Sequence, residues 1–105
     1  MWEECMMSSS RLISCNRDWT GITVLDKKGK PIFLDYHQIS EIRFGYHTIT
    51  KLFSKKTSEK IEIRLKDSTK PILVLKPMDW DRFDQYKQEI TRFAKENRIR
   101  LVEYE

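Results

Sequence analysis

MDWDRFDQYKQEITRFAKEN, residues 78–97, decides the fold class, because it is the one long stretch of helical period in the chain. Phe83, Tyr86, Ile90, Phe93 and Ala94 recur at three- and four-residue spacing and lay down an apolar stripe, with Trp80 at its N-terminal end. Lys87 shares that spacing, while Arg82, Gln85, Gln88, Glu89, Arg92, Lys95 and Glu96 fill the opposite side. Pro77 lacks a donor and holds Lys76 extended, so the preceding strand stops there. Asp79 is the expected N-cap, Asp81 and Asp84 favour the positive end of the macrodipole, and Asn97 is the expected left-handed stop. The prediction is one helix over about residues 79–97. A helix of this length is marginal alone in water. Burying Phe83, Ile90 and Phe93 contributes roughly 1.5–3 kcal/mol each, which is enough to dock it on a sheet. The clustered carboxylates read as capping groups, in preference to a metal or acid–base pair.

Upstream the period changes to two. Residues 2–7 and 11–16 read as short strands joined by three serines, and Asn16, Arg17 and Asp18 carry turn chemistry. Residues 20–25 are β-branched, and Asp26-Lys27-Lys28-Gly29-Lys30 forms a hairpin loop with Gly29 available for positive φ. Pro31 opens the return strand, in which Ile32, Leu34 and Tyr36 share a face. After a turn at His37 and Gln38, Ile42, Phe44 and Tyr46 alternate with polar residues, and residues 48–53 continue or pair with that strand. Residues 54–59 read as polar loop. Ile61, Ile63 and Leu65 then point inward between Lys60, Glu62, Arg64 and Lys66, and residues 71–76 return after a turn. About seven short antiparallel strands followed by one helix must fold over to hide the apolar face, giving a sandwich or partly open barrel.

The length of 105 residues suits a single domain over residues 1–105, with 39% apolar and 34% charged side chains. No stretch is long and apolar enough to span a bilayer, and the acidic start (Met1-Trp2-Glu3-Glu4) lacks the pattern of a signal peptide. Cytoplasmic residence is the expectation. Cys5 and Cys15 match no zinc spacing; they are read as reduced thiols, with a bridge as the alternative if their segments pair. The net charge of +4 is uneven: residues 1–26 carry two basic and four acidic side chains, residues 27–70 eleven and five, and residues 71–105 seven of each. An anionic partner would therefore be sought in the middle segment.

Leu34-x-Tyr36-x-x-Ile39-x-x-Ile42, placed after the Gly29 hairpin and before a strand, resembles the pattern in pleckstrin-homology-like (PH-like) domains, particularly the small bacterial ones. There an aromatic and two aliphatics pin a turn against the core. The resemblance covers about residues 10–97 and is one of fold. It implies a partly open antiparallel barrel or sandwich of about seven strands, capped by a C-terminal helix. Residues 98–104 depart from it by adding an apolar–polar alternation that suits an extra edge strand, within the molecule or across a dimer. The resemblance also implies a recognition scaffold for phosphoinositides, peptides or proteins, among which fold alone does not choose.

The sequence holds no glycine-rich phosphate loop, nucleophile elbow or paired-histidine metal motif, and His37 and His47 read as surface residues. No cofactor or metal is implied. The expected function is a non-enzymatic interaction module for a partner protein or peptide. The alternative is weak binding to an anionic phospholipid surface through Lys27, Lys28 and Lys30 on one loop and Lys55, Lys56 and Lys60 around another. Nucleic acid is disfavoured, because the aromatics fall mostly on core-facing positions and the exposed aromatic platform of single-strand binders is not expected. Trp2 and Trp19 are candidate exposed anchors for a protein, with burial as the competing reading. Ile99, Leu101 and Tyr104 would mediate homodimerisation through an edge strand.

Overall fold

The computed structural model describes residues 11–26 and 28–104. Among the described residues it is mainly β, with two sheets, one α-helix and no closed barrel. Strands β1 (Ile13–Cys15), β2 (Gly21–Leu25) and β3 (Pro31–Asp35) form an antiparallel sheet in that order. A 3-10 turn at Tyr36–Gln38 leads into β4 (Ile39–Lys51), which pairs with β5 (Ser54–Leu65). Together with β6 (Ile72–Leu75) and β7 (Arg100–Glu103) they form a second sheet, ordered β6-β5-β4-β7. Helix α1 (Phe83–Glu96) lies between β6 and β7 in the chain.

Each turn has a chemical cause. Asp26 accepts from the backbone amides of Lys28 and Lys30 through Oδ1, both at 2.8 Å, while Gly29 takes φ of 83°. At the sheet change, Asp35 accepts from the His37 amide and Gln38 Oε1 accepts from the Asp35 amide, which closes a capping box. Asn16 Oδ1 accepts from the Thr20 amide at 2.9 Å, and the left-handed residue of that turn is Trp19, at φ 57°.

The core is shared by three layers. Ile13, Ile22, Val24 and Leu34 come from the first sheet, Ile42, Phe44, Ile61, Ile63 and Val74 from the second, and Phe83, Tyr86, Ile90, Phe93 and Ala94 from α1. The expected stripe is thus buried, except that Trp80 is exposed beside Lys76. The helix starts at Phe83, four residues beyond the expected cap. The Asp79 carboxylate is taken instead by the Tyr86 hydroxyl at 2.7 Å and by Arg82 at 3.3 Å, and Tyr86 Oη in turn accepts from the Leu12 amide. Asn97 is not left-handed either; Arg98 is, at φ 55°. Asn97 acts through its side-chain amide, which donates to the carbonyls of Phe93 and Trp19 and clamps the helix end to the first sheet's turn.

Two larger corrections concern strands. Residues 54–59 are strand and not loop, because their backbone pairs with residues 46–51 of β4. The extra segment does form a strand, and it pairs parallel to β4, Leu101 beside Ile42, so the second sheet is mixed and not wholly antiparallel. The helix crossing from β6 back over the sheet delivers residue 100 to that edge in the parallel sense.

Candidate docking site

Strands β4 and β5 outrun the rest of their sheet. Residues 46–51 pair with residues 54–59, and among the described residues no third strand flanks them. At about 3.4 Å per residue this two-stranded arm extends roughly 20 Å. Every residue from 48 to 57 is exposed. Thr48 and Thr57 meet across it with hydroxyls 3.1 Å apart. Its two-residue tip is Leu52-Phe53, at 88% and 93% exposure. Other exposed rings are occupied: Tyr46 packs on Tyr104 at 5.5 Å, and Phe33 lies across Gly21, where a Cβ would come within 2.7 Å of the ring.

Register places cations on both faces of the arm. Lys55 stands opposite Thr50 on one face, and Lys51 and Lys56 project from the other beside Ser54 and Ile49. None of the three has a carboxylate within 4.0 Å among the described residues, and residues 42–58 include no Asp or Glu. Lys51, Leu52 and Phe53 were not expected as site residues. Their signal was an apolar pair out of alternation, set between lysines.

The root of the arm is fixed by Glu59. Its carboxylate accepts from the Tyr104 hydroxyl at 2.6 Å, from Lys87 Nζ at 2.9 Å and from Lys76 Nζ at 3.2 Å. Lys87 also donates to Tyr104 Oη at 2.7 Å. These partners come from α1, the turn before it and the end of β7. The Tyr104 hydroxyl, followed by the two ammonium groups, holds the Glu59 carboxyl down at about 2. Burial alone would lower the Lys87 ammonium, but the Tyr104 and Glu59 bonds outweigh it and raise the group. Beside this hub, Phe44, Asp84, Lys87, Gln88, Thr91, Glu103 and Tyr104 line an open groove of about 510 Å³.

The outer face of the second sheet is a charge lattice closed on itself. Glu41 accepts from Arg43 and has Arg64 and Arg100 at 3.7 Å; Glu62, 4% exposed, accepts from Lys60 at 2.9 Å and from Arg64. Burial would raise Glu62, but Lys60 and Arg64 more than offset it, so its carboxyl is lowered.

The expected sites therefore separate. Lys60 is consumed by Glu62, and Lys55 and Lys56 sit on strand and not on a loop. Lys28 and Lys30 stand on the β2–β3 turn of the other sheet without an ion pair among the described residues, and Lys27 and Trp2 lie outside those residues, as do Cys5 and residues 2–7. Trp19 is half-buried against the core, with Arg92 over its ring at 4.3 Å, so it is not an exposed anchor. Ile99 and Leu101 pack on the core, and Tyr104 is engaged at the hub. Among the described residues β7 is the last strand of its sheet.

Cys15 is half-buried, and burial pushes its thiol up to about 12, with Glu89 adding to it. His37 Nδ1 lies 2.9 Å from Asp35 in an exposed pair. Among the described residues no group of three or more His, Cys, Asp or Glu is placed to hold a metal ion, and no helix is long and apolar enough to cross a membrane. Comparisons with protein-family models, with curated proteins and with solved structures each return no match for this chain.

Proposed function

We propose that this chain is a PH-like, non-enzymatic interaction module that engages its partner through the β4–β5 arm. The observation that carries the reading is the arm itself: a ribbon anchored at its root by four side chains, ending in two apolar side chains that are 88% and 93% exposed. A contiguous exposed apolar element on a rigid base is the mark of an interaction surface. The two-sheet sandwich with a helix packed on it supports the PH-like reading, and the parallel β7 and the long arm are this chain's own additions. The half-buried thiol, pushed up to about 12 by burial, supports a non-catalytic role.

The test is a photo-crosslinking benzoylphenylalanine placed at Phe53 or, as a control, at Ser68 on the β5–β6 turn, with irradiation in cells. Adducts to protein or lipid at position 53, and none at 68, are expected. Equal yields at both positions, or none at 53, overturn the assignment.

A further inference from the structure

The arm's chemistry specifies its partner further. This step rests on the reading of the arm as the docking element. We infer that it docks tip-first on an anionic membrane interface, with Leu52 and Phe53 entering the headgroup–acyl boundary and Lys51, Lys55 and Lys56 lying against lipid phosphates.

Three features favour a bilayer over a protein pocket. The apolar side chains crown a convex tip, so their partner has to be soft or concave. The cations surround the tip on both faces of the ribbon, which suits entry into a plane of charge; a pocket would draw them to one face. All three are lysines, point charges without the planar fork that fixes geometry against a protein carboxylate, and a diffuse anionic surface needs none. Lys28 and Lys30, on the β2–β3 turn, have no apolar neighbour of this kind among the described residues.

The experiment is co-sedimentation of the full chain with vesicles of phosphatidylcholine, alone or mixed with phosphatidylserine, at low and high salt. Binding is expected to the mixed vesicles at low salt, with release as salt screens the lysines. Leu52→Ser/Phe53→Ser should weaken it about 100-fold. Lys51→Glu/Lys55→Glu/Lys56→Glu should weaken it by at least about 100-fold. Lys28→Glu/Lys30→Glu should leave it unchanged. All these side chains are exposed, and unchanged urea midpoints would verify folding. In a Phe53→Trp variant, the added emission should shift blue on mixed vesicles and be quenched by brominated lipid. Absence of sedimentation at low salt, indifference to the tip substitution, or loss through Lys28 and Lys30 overturns the assignment. If vesicles fail but position 53 cross-links to a protein, the arm remains the docking element and its partner is that protein. If both fail, both readings fall.

Discussion

Replacing Glu59 with Gln tests the hub that fixes the root of the arm. The substitution keeps shape and one acceptor for Tyr104, but it removes the charge that Lys76 and Lys87 share. The Glu59 carboxyl sits at about 2, against 4.5 for an unperturbed glutamate. A shift of that size corresponds to a ceiling of about 3 kcal/mol. The side chain is 21% exposed, so solvent screening reduces the expected loss to about 1–2 kcal/mol. The sign follows from the direction. A carboxyl lowered in the folded state stabilises fully above 4.5 and loses that contribution as pH falls through about 2. Urea unfolding of the two proteins across this window should show wild type more stable at neutral pH, with the difference closing as pH approaches the lower value. A difference of the same size at both ends, or none at neutral pH, would refute the reasoning.

Tyr86→Phe should cost about 1–3 kcal/mol in urea unfolding, because it leaves the Leu12 amide and the Asp79 carboxylate without the hydroxyl between them. Gly29→Ala should cost about 1–2 kcal/mol, seen as a lowered thermal midpoint, since an alanine is strained at φ 83°. In a Cys5→Ser background, Cys15 should react with iodoacetamide far more slowly when native than in urea at mildly alkaline pH. Its thiol, held at about 12, stays protonated there.

The parts of the fold legible in the sequence are those where burial imposes a period. Ile61 and Ile63 alternate because one face of β5 meets the core there, and Phe83, Tyr86, Ile90 and Phe93 recur at helical spacing because α1 covers it. The Gly29 hairpin was legible because its φ requires a residue of that kind. Residues 54–59 were misread for the complementary reason: with solvent on both faces of the arm, nothing selects alternation, and the backbone pairing that makes them strand leaves no trace in side-chain polarity. The helix start was misplaced because Asp79 has two possible uses, and its tertiary partner Tyr86 won over the local amides. The Glu59 hub was invisible. Positions 59, 76, 87 and 104 share no spacing, and the third dimension alone gathers them. The direction of β7 was equally hidden, since a four-residue apolar–polar segment reads the same parallel or antiparallel.

The parallel seat of β7 has a consequence for biosynthesis. Until residues 100–104 leave the ribosome, β4 exposes the edge that β7 will cover, and Glu59 lacks its tyrosine. A nascent chain paused upstream of that segment would present an open hydrogen-bonding border topped by a greasy, positively charged spike. Such a combination invites self-association, so synonymous changes that slow translation just before residue 100 should raise the insoluble fraction more than the same delay placed earlier.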